Sequence, residues 1–225
     1  MEGVSRTMRF RTLISSFAAL LLASTFPITG IAAEPSCCGP ISPAGHRLAF
    51  VLDGMDVESR WLAHEHVKWD TGRPDKGPDY DGPGRSTHCS AFAAAVGSRL
   101  GVYMLRPPDH GQVLLANAQA EWFHKRGGRE SGWRTAPGPR QAQTLANEGN
   151  LVVIVYESRD PHKPGHIAVV RPELRPLRLL EQNGPEITQA GQKNYARTSA
   201  KVGFQHHPGA WPNGVKYYVH PVPFE

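Results

Sequence analysis

The chain predicts an α+β domain with helices first and a mainly antiparallel sheet after them. Two observations carry this. Amphipathic and alanine-rich stretches fill the region up to about residue 148, and short β-branched runs follow from residue 151 onward, the order expected of segregated helices and strands. No internal repeat or second domain is visible, and the roughly 190 residues beyond the N-terminal segment are enough for one domain with a real core.

Residues 1–33 come first. Arg6, Arg9 and Arg11 precede an apolar run from Leu13 to Leu22, and the small residues Ala32 and Ala33 follow Pro27 and Gly30. That order is a secretory signal peptide. Ser15, Ser16, Ser24, Thr25 and Pro27 interrupt the stretch, whereas a membrane anchor needs about 20 unbroken apolar residues. Glu34, Pro35 and Ser36 before Cys37 do not resemble a lipoprotein site. The mature protein is therefore expected to be periplasmic or secreted, with no stable membrane anchor.

Residues 34–45 are rich in Pro and Gly and read as a flexible arm, leaving 46–225 as the single domain. Val57, Trp61 and Leu62 make an apolar stripe that predicts a helix over 56–68. Pro74, Pro78, Gly82, Pro83 and Gly84 make 70–85 a loop. A helix then starts near Ser86 or Thr87, both good N-cap types, and carries Phe92, Val96 and Leu100 to a C′ glycine at Gly101. After Pro107 and Pro108, helices are expected over 112–125, ending at Gly127 and Gly128, and over 140–148. Strands are expected over 151–156, 165–171, 186–190 and 215–220. The piece at 177–182 reads either as a strand or, with Leu177 and Leu180 three apart before Asn183-Gly184-Pro185, as a short helix.

Two motifs carry chemistry. Thr87-His88-Cys89-Ser90-Ala91-Phe92 places a cysteine at a helix start, and Gly165-His166-Ile167-Ala168-Val169-Val170 places a histidine at a strand start. These are the two halves of a thiol nucleophile and its base. Unpaired N–H groups and the macrodipole at a helix start favour thiolate, so Cys89 is expected to be partly ionised near neutrality. The competing reading is a buried structural cysteine, since Cys89 shares a stripe with Phe92 and Val96. Cys37, Cys38 and Cys89 all lie beyond residue 33. An odd number leaves at least one thiol unpaired within the monomer, and a bridge from Cys89 to one of the vicinal pair is the alternative to a free Cys89.

The arrangement resembles the papain-like superfamily, specifically its bacterial cell-wall branch of NlpC-type and CHAP-type amidases and peptidases. Cys89-Ser90-Ala91-Phe92 is similar to the Cys-Ser-Gly-Phe of the NlpC type, and Gly165 to Val170 is similar to the CHAP histidine strand. The resemblance implies a papain-like fold, with a core helix headed by the cysteine packed on the sheet. It also implies amide cleavage in peptidoglycan peptides or related amides without a metal. His88 stands where the NlpC type usually has aspartate, and Lys68-Trp69-Asp70-Thr71-Gly72 replaces the aromatic-rich upstream motif. The residues themselves dictate the expected mechanism: Cys89 attacks the carbonyl, His166 takes and returns the proton, and water releases the acyl-enzyme.

A third group should orient the imidazole. Glu181 and Asn183 resemble the CHAP Glu-x-Asn if 177–182 is a strand. If that piece is a helix, Gln189 on the same face as Ile187 is favoured, with Asn194 as a further candidate.

Other chemistries find little support. His64, Glu65 and His66 cannot chelate together from one helix, and His88, His162, His206 and His207 lack zinc-site spacing. No metal or cofactor is expected, and no phosphate-cradling loop or dinucleotide fingerprint is present. Losing Arg6, Arg9, Arg11 and Glu2 lowers the formal charge from +5 to about +3. This suits work on an anionic wall polymer, while the absence of a Lys/Arg block with interleaved aromatics speaks against nucleic acid. An exported thiol amidase or peptidase leads. A catalytically silent binder of wall peptide or protein, and an acyltransferase using the same pair, are the alternatives.

Overall fold

The computed structural model describes residues 1–3, 36–75 and 87–224. Residues 4–33 of the expected signal peptide and 76–85 of the expected loop lie outside them. The chain divides into two compact units, Met1–Ala33 and Glu34–Glu225, and every element below belongs to the second. Among the described residues no helix is long and apolar enough to cross a membrane.

In chain order the elements are β1 (Ser36–Cys37), α1 (Pro43–Gly54), α2 (Cys89–Arg99), α3 (Leu115–His124), α4 (Arg126–Glu130), β2 (Arg134–Ala136) and α5 (Gly138–Asn147). There follow β3 (Leu151–Tyr156), β4 (His166–Val170), β5 (Arg175–Pro176), α6 (Leu177–Asn183), β6 (Glu186–Gln189), β7 (Tyr195–Ser199), α7 (Ala200–Gly203) and β8 (Val215–His220). A six-stranded sheet runs β2-β8-β3-β4-β6-β7, and β1 pairs with β5. Every strand pair is antiparallel. The fold is α+β, as expected.

The sheet is covered on both faces, which explains why all six residues of β3 are buried. Alternation deals Leu151, Val153 and Val155 to a layer with Leu48, Leu52, Phe92, Val96 and Phe123 from α1, α2 and α3. It deals Val152, Ile154 and Tyr156 to a second layer with Ala142, Ala146, Ala200 and Phe204. Strands buried on both sides lose the polar alternation of a half-exposed sheet. Residues Cys89 to Gly97 of α2 are likewise buried all round, so its alanines serve close packing between sheet and neighbours rather than an amphipathic stripe.

Three expectations change. Of the arm expected at 34–45, the described part from Ser36 onward is instead docked. Cys37 and Cys38 form a vicinal disulfide, Ser36 and Cys37 pair with β5, and α1 begins at Pro43 with the Ser42 side chain accepting from Gly45 N–H. A Ser N-cap followed by Pro at N1 is a helix-start signature that the local Pro/Gly content obscured. Cys89 is free, so it does not bridge to the vicinal pair.

The helix expected over 56–68 is a chain of turns. Asp56, Trp61 and His64 have φ of 53°, 50° and 69°, which a right-handed helix forbids. Asn194 Nδ2 donates to the carbonyls of Val57, Arg60 and Trp61 at 2.7, 2.7 and 3.2 Å, so a distant side chain satisfies groups that a helix would satisfy locally. Finally, Gly127 and Gly128 do not end the helical region but lie in α4. A Cβ at Gly128 would run into the backbone of Trp122 and Phe123, and its absence lets α4 fold tightly against α3.

Candidate active site

Cys89 is the first residue of α2. The expected cap differs: His88 occupies the N-cap position without a side-chain capping bond to the helix, and its Nε2 instead meets the Glu65 carbonyl at 2.7 Å. Gly101, with φ of 70°, follows the C-cap Leu100 as expected. Amide groups of Ile167, Ser90 and Cys89 itself, with the Thr87 side chain, surround the thiol. These groups favour thiolate, yet burial outweighs them and pushes the thiol above its ordinary value. The expectation of a partly ionised thiol near neutrality is therefore corrected: desolvation beats the helix start when Cys89 is only 5% exposed.

His166 opens β4 and is buried. Its Nε2 lies 2.8 Å from Gln189 Oε1. Gln189 Nε2 donates to the Lys193 carbonyl at 3.2 Å, which fixes the orientation of that amide. The oxygen must then accept, so His166 carries its proton on Nε2 and leaves Nδ1 as the basic nitrogen. Gly203 makes room for this arrangement, since a Cβ there would press on Gln189 Oε1. Burial pushes the imidazole down to about 4 against the opposing Gln189 bond.

The two groups reach the start of β4 from different layers. Cys89 belongs with Ile167 and Val169. The His166 ring packs edge-on to Phe204 at 4.8 Å and is stacked on His207 at 4.8 Å with 14° between planes. Pairing of β4 with β6 begins only at Val169 opposite Thr188, so the start of β4 at His166 and Ile167 is free of that ladder.

The other candidates for the third group lie elsewhere in the fold. Glu181 sits on α6 with a side chain 64% exposed, 3.6 Å from Arg140. Asn183 ends the same helix, which settles 177–182 as helical. Asn194 clamps the 57–61 turns and accepts from Gly191 N–H at 2.9 Å, so its amide is fully used for structure. Among the described residues no three His, Cys, Asp or Glu side chains gather as a metal site would.

A cleft of about 420 Å³ is lined by Tyr156, Arg159, Asp160, Lys163, His206 and His207 among others, and His207 in turn stacks on His166. Sequence reasoning passed over His207, which touches His166 directly, and Phe204. Nothing local marks either one, because their approach depends on the α7 turn folding back over β6.

No protein-family model and no curated protein matches the chain.

Proposed function

We propose that the chain is an exported cysteine hydrolase of papain-like architecture, cleaving amide bonds in peptidoglycan peptides through an acyl-enzyme. The observation that carries this reading is the locked His166–Gln189 pair at the start of β4, next in sequence to Ile167, whose backbone amide meets the Cys89 thiol. Thiol and imidazole are both neutral at rest, since burial raises one and lowers the other. The proton therefore moves from Sγ to Nδ1 as sulfur attacks the carbonyl carbon, and passes to the leaving amine as the C–N bond breaks. Water then adds to the thioester, giving His166 a proton that returns to Sγ. The Cys89 N–H, in the first turn of α2, receives the developing oxyanion. Export rests on the N-terminal sequence, and the wall substrate on the motif resemblance and mild basicity.

The buried thiol favours a second reading, a silent relative that binds wall peptide. Digestion of purified peptidoglycan with product analysis separates them. The hydrolase releases new amines and carboxyls, Cys89→Ala and His166→Ala each abolish release while remaining folded, and Cys37→Ser or Cys38→Ser does not. Added amine captured in the product identifies acyl transfer instead. Binding without release, or release that survives Cys89→Ala, contradicts the hydrolase.

A further inference from the structure

We propose that His207 is a positioning residue for His166: its stacked ring holds the imidazole plane with Nε2 on Gln189, and its own protonation opposes formation of the imidazolium. The rings lie 4.8 Å apart and nearly parallel, while Phe204 closes the edge at 4.8 Å. Between them and Gln189 the imidazole has little freedom to rotate about its side-chain bonds. A base held in one orientation is what rate enhancement by positioning requires.

His207 is also the wall between the base and the 420 Å³ cleft, where it stands beside Tyr156 and His206. Its backbone is held independently of its ring, with His207 N–H donating to the Phe204 carbonyl and Ala210 N–H donating to the His207 carbonyl, both at 3.0 Å. The side chain is thus free for another role.

Two stacked imidazoles cannot both carry a proton without repulsion, and such a pair takes up protons in coupled steps. Burial and the neighbouring His166 and His206 push His207 down to about 4. The other titratable groups facing this pair are Tyr156 from β3, and Arg159, Asp160 and Lys163 from the β3–β4 loop. At neutral pH His207 is an uncharged platform. In acid the pair shares its protons, and His166 no longer accepts one from the thiol.

The catalytic consequence rests on the hydrolase reading, but the placement is measurable without it. The experiment is a ¹⁵N and ¹³C NMR titration of the His166 ring in the full mature chain, wild type beside His207→Ala and His207→Phe, together with kcat and KM for amide cleavage. The proposal expects a pure Nε2–H tautomer in wild type and a mixture in His207→Ala, with kcat falling ten- to a hundredfold at little changed KM. His207→Phe keeps the stack, so the tautomer persists while the His166 midpoint and the acid limb of the rate move to higher pH. An unchanged tautomer signature in His207→Ala overturns the positioning role, and an unmoved midpoint in His207→Phe overturns the electrostatic one. If His207→Ala does not fold, His207→Phe alone decides the electrostatic part, and His207→Gln, flat but not aromatic, takes the place of alanine. Absence of amide cleavage by wild type defeats the hydrolase reading and leaves the NMR result to judge His207 by itself.

Discussion

His166 Nε2 donates to Gln189 Oε1 over 2.8 Å, from an amide whose nitrogen is already committed to the Lys193 carbonyl. That second bond decides the tautomer of the first. An amide free to flip would present N–H or C=O with equal ease, whereas this one presents only its oxygen, and the basic lone pair is forced onto Nδ1.

Gln189→Ala should release the tautomer and lower kcat about ten- to a hundredfold, less than removing Cys89, because the base survives without its orienter. Gln189→Glu should raise the His166 pKa from about 4, since a carboxylate beside the ring favours imidazolium. NMR titration of His166 in each variant, with rates of amide cleavage, checks both. A midpoint that does not rise in Gln189→Glu would contradict the geometry.

Stability should fall as the medium is acidified. His166 has a folded-state pKa of about 4, against about 6.5 in the unfolded chain. The unfolded state takes up a proton that the folded state refuses, so the neutral ring's contribution is complete above about 6.5 and is lost as pH falls toward 4. The loss from this group is about 3 kcal/mol. Urea midpoints measured from pH 7 to pH 4 should fall for wild type and fall less for a folded His166→Phe. An equal fall in both would contradict the assignment.

Asn194→Ala should destabilise the fold by about 2–3 kcal/mol. Its side chain holds three carbonyls of the 57–61 turns and the Gly191 N–H, and alanine leaves all four to find new partners. Hydrogen exchange should speed first in residues 56–66. Denaturant unfolding with exchange mapping checks this, and protection unchanged in that segment would show that the turns stand without Asn194.

Phe92→Ala should cost about 3–5 kcal/mol. The ring is fully buried beneath Trp61, 5.3 Å away and edge-on, three residues from Cys89. Thermal unfolding measures the loss, and a shift of only a degree or two would mean that the α2 layer repacks around the void.

The sheet was legible because β3 and β8 declare themselves locally. Leu151–Tyr156 and Val215–His220 are β-branched and aromatic runs between turn residues, and tertiary structure only confirms their bounds. The positions of Cys89, His166 and Gln189 were legible for the same reason, each standing at the end of a locally clear element. What escaped depended on partners far along the chain. The 57–61 turns exist because Asn194 satisfies their carbonyls, β7 forms because β6 offers it an edge, and the thiol is pushed above its ordinary value because burial outweighs a helix start that looks electropositive in isolation. His207 escaped most completely, since stacking on His166 leaves no periodic or compositional trace.

The most direct measurement is the intact mass of the mature protein after acid quenching from a mixture with soluble muropeptide. The account predicts a thioester adduct on Cys89, with a mass equal to the acyl fragment of the cleaved peptide. The adduct should be labile to hydroxylamine and absent from both Cys89→Ala and His166→Ala. Cleavage of the same muropeptide with no adduct under any quench, and with undiminished rate in Cys89→Ala, would contradict it.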